Sequence, residues 1–106
     1  MAKYLIRGSY TAEGTKGLIK DGGSGRKAAV ERALQAMGGS VDAFYYAFGD
    51  TDIYIIVDIP DVVSATALSV VANSSGAVTA KITPLITVEQ MDAACKMPSA
   101  YTAPGQ

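Results

Sequence analysis

The order of apolar and polar positions divides the chain into strand-like and helix-like stretches. KYLIRGSY (3–10) alternates, with Tyr4, Ile6, Gly8 and Tyr10 on one side and Leu5, Arg7 and Ser9 on the other. This pattern predicts a first strand. Thr11 is a fitting N-cap, and TAEGTKGLIK (11–20) predicts a short helical piece. Gly22, Gly23 and Gly25 then interrupt the helical pattern, and Ser24 offers a cap for a fresh start. RKAAVERALQAM (26–37) resumes it, with Ala29, Val30, Ala33, Leu34 and Met37 three and four residues apart, until Gly38 and Gly39.

SVDAFYYAF (40–48) predicts an aromatic-rich second strand, and GDTD (49–52) a turn. IYIIVDI (53–59) predicts a third strand, with Ile53, Ile55, Val57 and Ile59 on one face and Tyr54, Ile56 and Asp58 on the other. Asp61 caps a second helix carrying Val62, Val63, Ala67, Leu68, Val71 and Ala72, which Gly76 stops. AVTAKITPLI (77–86) predicts a fourth strand, and Pro84 places its end at a sheet edge. Thr87 and Gln90 stand at capping-box spacing and open a short last helix. Residues 1–96 are expected to form one domain, followed by a loose tail over 97–106.

The order β-α-β-β-α-β predicts the α+β class and a ferredoxin-like domain: a four-stranded antiparallel sheet, the first strand between the third and fourth, both helices on one face. The other face has no cover from these elements. It would carry Arg7, Tyr54, Ile56 and some second-strand aromatics, and a face so apolar predicts a homodimer or higher oligomer. Arg7, Asp58 and Lys81 are expected to share that face and to pair across strands.

Composition narrows the chemistry. Hydrophobic residues make up 49% of the 106 and charged residues 18%, which fits a packed domain rather than a disordered one. A net charge of −1 without a basic run argues against nucleic-acid partners and against a membrane surface. The chain has no histidine, which removes Ser-His-Asp and Cys-His nucleophile systems, His-ligated zinc and proximal-His haem. Cys95 is the single cysteine, so no intramolecular disulfide can form. No run is apolar enough for a membrane helix or a signal peptide, and the cytoplasm is the expected location. No metal or cofactor is expected.

The runs YLIRGSYTAEGTKGLIKDGGSGRKAAVERAL, GGSVDAFYYAFGDTDIYIIVDIPD and SGAVTAKITPLIT resemble the GYD family of small bacterial proteins over roughly residues 3–95. The resemblance implies a ferredoxin-like, dimeric α/β-barrel type of domain. Gly49 and Asp52 match the family's Gly-x-Tyr-Asp arrangement between strands two and three, and Thr51 stands where the tyrosine would be. The resemblance supplies no catalytic residues.

Two readings of the glycine break compete. One is an anion site, in which Ser24, Arg26 and Lys27 would assist backbone amides; the other is an elbow between two helical pieces. Asp50 and Asp52 in the turn could share a cation, but Asp also favours turns for its local hydrogen bonding. Tyr10, Tyr45, Tyr46 and Tyr54 could line a pocket for an aromatic molecule, although strand aromatics are mostly core or interface residues. The ligand-binding candidates are therefore Arg7, Tyr10, Ser24, Arg26, Lys27, Tyr46 and Tyr54, for a small anionic or aromatic ligand. Cys95 reads as structural.

Two function classes fit. The first is a small homo-oligomeric module that binds a ligand or partner. The second is a cofactor-free oxygenase or isomerase of the dimeric-barrel kind acting on a small aromatic or carboxylate substrate. In the second, Arg7 and a tyrosine would polarise the substrate and move a proton. A cavity of a few hundred cubic ångströms between helices and sheet, lined by Tyr and Arg, would favour it.

Overall fold

A computed structural model describes residues 2–106. The chain runs β1 (Ala2–Tyr10), α1 (Ala12–Ala36), β2 (Ser40–Tyr46), β3 (Ile53–Ile59), α2 (Val62–Ser74), β4 (Val78–Leu85) and α3 (Val88–Cys95). The four strands form one antiparallel sheet in the order β2-β3-β1-β4, the ferredoxin-like arrangement. No helix among the described residues is long and apolar enough to cross a membrane.

The caps lie where the side chains dictate. Thr11 accepts the Gly14 N–H, Asp61 accepts the Ser64 N–H at 2.7 Å, and Thr87 with Gln90 forms a complete capping box. The Ser64 hydrogen bonds hold the Asp61 carboxyl below its ordinary value. α1 consists of the two expected helical pieces, joined at a kink where Gly22 is non-helical with φ 75°, in the region that favours glycine. Ser24 lies within the second piece rather than capping it.

Alternation sets the core. Tyr4 and Ile6 from β1 and Ile53, Ile55, Val57 and Ile59 from β3 are buried on one face, where Leu34 of α1 and Ala65 of α2 close over them. Burial of these side chains, worth roughly 1.5–3 kcal/mol each, dominates the stability of this layer. The side chain of Asn73 clamps α2 to the edge strand. It accepts the Ala80 N–H at 2.8 Å and donates to the Ala80 carbonyl at 3.0 Å.

The opposite face is uncovered. Arg7, Tyr54 and Lys81 are exposed there, and so is Tyr45 of β2. β2 bulges between Val41 and Ala43, and Asp42 at the bulge joins Asp58 as a partner of Lys3. The expected charge pairing is thus corrected. Asp58 pairs with Lys3 at 3.0 Å, and Arg7 stands in register between Tyr54 and Lys81. The bulge that delivers the second carboxylate leaves no trace in the strand alternation.

The segment after β4 stands apart. Every residue from Thr83 to Gln106 is exposed, and α3 makes almost no contact with the other elements. The radius of gyration is 16.8 Å, against about 13 Å for a compact chain of this length. Residues 97–106 contain neither helix nor strand.

Candidate functional site

The sheet positions a cleft between α1 and α2. α1 lies over β2 and β1, α2 over β4 and β3, and the two helices scarcely touch. Small residues leave the space between them unfilled: Gly8, Gly14, Gly17, Ala29, Ala72 and Ala80 line the gap. The result is a cavity of about 470 Å³. That is within the usual range for small-molecule sites, roughly 300–1,000 Å³. Its walls are predominantly apolar, with Ile6, Ile53, Ile55 and Ile82 forming the floor.

The polar groups gather at one end. Tyr10, half-buried, ends β1 and turns its ring into the cavity. Its N–H donates to the Asp52 carboxylate at 2.8 Å, and the Asp52 N–H donates to the Gly8 carbonyl at 2.8 Å. The hairpin aspartate is therefore a brace that fixes Tyr10, and the Ser9 hydroxyl strengthens it by donating to the Asp50 carbonyl at 2.6 Å. Burial pushes the Tyr10 phenol above its ordinary value, while Arg26 opposes this by its charge and a hydrogen bond. The phenol is thus a hydrogen-bond donor at neutral pH. Arg26 stands beside it, 3.8 Å from the Asp21 carboxylate across the kink. Asp21 and Glu13 are exposed at the rim.

A second cavity of about 280 Å³ lies on the far side of Tyr10, bounded by Thr15, Leu18, Gly23, Tyr46, Ala47 and Asp52. The Tyr10 ring is the partition between the two. Tyr46 closes the second one and donates its hydroxyl to the Gly23 carbonyl at 2.8 Å. Burial also raises the Tyr46 phenol, with Tyr10 adding to the shift.

The candidates from the sequence divide into two groups on opposite faces of the sheet. Tyr10, Tyr46 and Arg26 come together on the helix side. Arg7 and Tyr54 lie on the open face. Ser24 and Lys27 are exposed on α1 and line neither cavity. Asp21, Asp52 and the small-residue lining were not singled out for this site. The sequence presents Asp52 as a turn residue, a possible cation partner of Asp50 and a match to the family arrangement; its reach to Tyr10 depends on the return of the hairpin to β1. The recurring Gly and Ala positions of α1 and α2 were the available signal for a gap.

The family model described as the GYD domain matches residues 4–95, from β1 to the end of α3. The chain belongs to the GYD domain family. Nothing matches it among the curated proteins or the solved structures.

Proposed function

We propose that this GYD-domain protein is a binding module for a small, largely apolar molecule that carries an oxygen acceptor at one end. The observation that carries the reading is the cavity of about 470 Å³ with its two donors, Tyr10 and Arg26, at one end. The apolar floor would take up the ligand body, at roughly 25 cal/mol for each Å² removed from water. A carbonyl or carboxylate oxygen would meet the phenol and the guanidinium. Aromatic and medium-length aliphatic acids, aldehydes and ketones are the matching class.

The enzyme alternative invoked Arg7 as the polarising group. Arg7 lies on the opposite face of the sheet. The phenol at the cavity is held protonated, and the rim carboxylate nearest Arg26 is already its ion-pair partner. With Asp21 paired to Arg26 and Glu13 the one other carboxylate at the rim, a wall that is mostly apolar and ends in two donors favours binding over proton transfer.

Thermal-shift and NMR titration with benzoate and octanoate test the proposal. Ala72→Phe, which fills the cavity from α2, should abolish binding. Arg26→Ala should weaken carboxylate binding about ten- to a hundredfold, as expected for a hydrogen bond to a charged donor worth about 1.5–3 kcal/mol. Unchanged affinity in a folded Ala72→Phe protein would place the ligand elsewhere.

A second reading concerns assembly. Tyr54 is 40% exposed and Tyr45 71% exposed on the open sheet face. Exposed aromatics side by side on a strand pair support self-association through this face.

A further inference from the structure

We infer that the open face of the sheet is covered by α3 of a second copy of this chain, with Glu89 and Asp92 meeting Arg7 and Lys81. The inference rests on the self-association reading and specifies the element that makes the contact.

The face has an unmet electrostatic demand. Arg7 lies directly opposite Lys81 in the β1–β4 register. Like charges opposite one another on neighbouring strands destabilise the pair. Among the described residues neither cation has an ion-pair partner, and the carboxylates nearest in the sheet, Asp42 and Asp58, are both engaged by Lys3. Two such faces laid on each other would bring four cations together. Leu5, Ile56 and Tyr54 give the same face its apolar part.

α3 carries the complementary pattern. Val88, Met91 and Cys95 recur at spacings of three and four and form an apolar stripe. Glu89 and Asp92 lie beside it, exposed and without an ion pair among the described residues. Residues three apart on a helix stand about 5–6 Å apart. Adjacent strands lie about 5 Å apart. One helix crossing β1 and β4 can therefore present one carboxylate to each cation.

The helix also needs a support that its own subunit does not give it. An isolated helix of 8 residues is marginal in water even when well capped. Only Ile86 and Thr87 separate it from β4, and Thr87 is extended and committed to the capping box. The chain leaves the sheet there rather than doubling back, so a second copy is the occupant that geometry favours.

Charge reversal in the full chain tests this by sedimentation velocity and native mass spectrometry. Wild type should dimerise. Arg7→Glu/Lys81→Glu and Glu89→Lys/Asp92→Lys should each weaken dimerisation at least about tenfold. An equimolar mixture of the two should restore a heterodimer, because each helix then meets a face of opposite sign. Circular dichroism melts check that the variants fold, and Arg7→Gln/Lys81→Gln or Glu89→Gln/Asp92→Asn replaces any that do not, each then weakening dimerisation in the same sense. Three results overturn the inference. Reversed chains that dimerise like wild type leave self-association standing and remove α3 from it. A mixture that stays monomeric, while a chain with all four reversals behaves as wild type, places α3 on its own sheet. A monomeric wild type removes self-association and this contact together.

Discussion

The hydroxyl of Tyr46 donates to the Gly23 carbonyl at 2.8 Å, joining the end of β2 to the kink of α1. This bond ties the helix to the sheet at the position where it bends. The Gly22 backbone redirects the chain, and the tyrosine holds the new direction. Tyr46→Phe keeps the ring and removes the bond, which should cost about 0.5–1 kcal/mol. For a domain of this size that is a fall in Tm of about 2–8 °C. A Tm unchanged in a calorimetric scan would mean that the bond does not hold the kink.

Three glycines of α1 should answer one substitution in three different ways. At Gly17 an added Cβ meets nothing within 4 Å, so Gly17→Ala should stabilise by about 0.5–1 kcal/mol. Gly22 has φ 75°, so Gly22→Ala should destabilise by roughly 1–2 kcal/mol. At Gly14 the Cβ would stand 1.8 Å from the Ala77 carbonyl oxygen. The start of α1 cannot shift freely, because the Thr11 N–H donates to that same carbonyl at 3.0 Å. Gly14→Ala should be the most damaging of the three. Urea midpoints rank them, and equal midpoints for Gly14→Ala and Gly17→Ala would contradict the close crossing.

These glycines also mark what sequence could disclose. The strand faces of β1 and β3, the caps at Thr11, Asp61 and Thr87, and the position of β1 between β3 and β4 all follow from local pattern and chain connectivity. Each depends on residues near one another in sequence or on a handedness rule. The candidate site depends on distances that local pattern does not encode. Asp52 reaches Tyr10 across 42 positions. The bulge brings Asp42 to Lys3, which the β1–β3 register already sets opposite Asp58, while the β1–β4 register sets Arg7 opposite Lys81. Alternation correctly put Arg7 and Tyr54 on the face away from Tyr10, but a pocket assembled from residue types alone joined them.

The Lys3 cluster should give stability a defined pH window. Hydrogen bonding to Lys3 holds the Asp42 carboxyl below its ordinary value, and the Asp42 and Asp58 carboxylates raise the Lys3 ammonium above 10.5. A depressed carboxyl contributes stability above its unfolded value and loses it as pH falls through the folded one. A raised ammonium contributes below its unfolded value and loses it as pH rises through the folded one. The contribution of the cluster should therefore be level between the ordinary carboxyl range and 10.5, and decline on both sides. All three groups face solvent in part, so salt should shrink it. Chemical denaturation of wild type and Lys3→Met across pH, at low and high salt, reads the difference. A difference that grows as pH falls below 4 would contradict the assignment.

The partition formed by Tyr10 leads to a prediction about recognition. Its ring separates cavities of about 470 and 280 Å³, and its backbone is anchored by Asp52. Wall and donor are separable. Tyr10→Phe keeps the wall and removes the donor, so an aromatic acid should bind about five- to tenfold more weakly, the loss of one hydrogen bond of about 1–1.4 kcal/mol. Its uncharged hydrocarbon analogue should bind as before. Tyr10→Ala removes the wall, joins the two cavities and should admit longer ligands at a cost in stability, since the packing of a half-buried ring is lost. Titrating both variants with benzoate, toluene and decanoate separates the two roles. If Tyr10→Phe weakened toluene as much as benzoate, the hydroxyl would be supporting the fold of the pocket rather than reading the ligand.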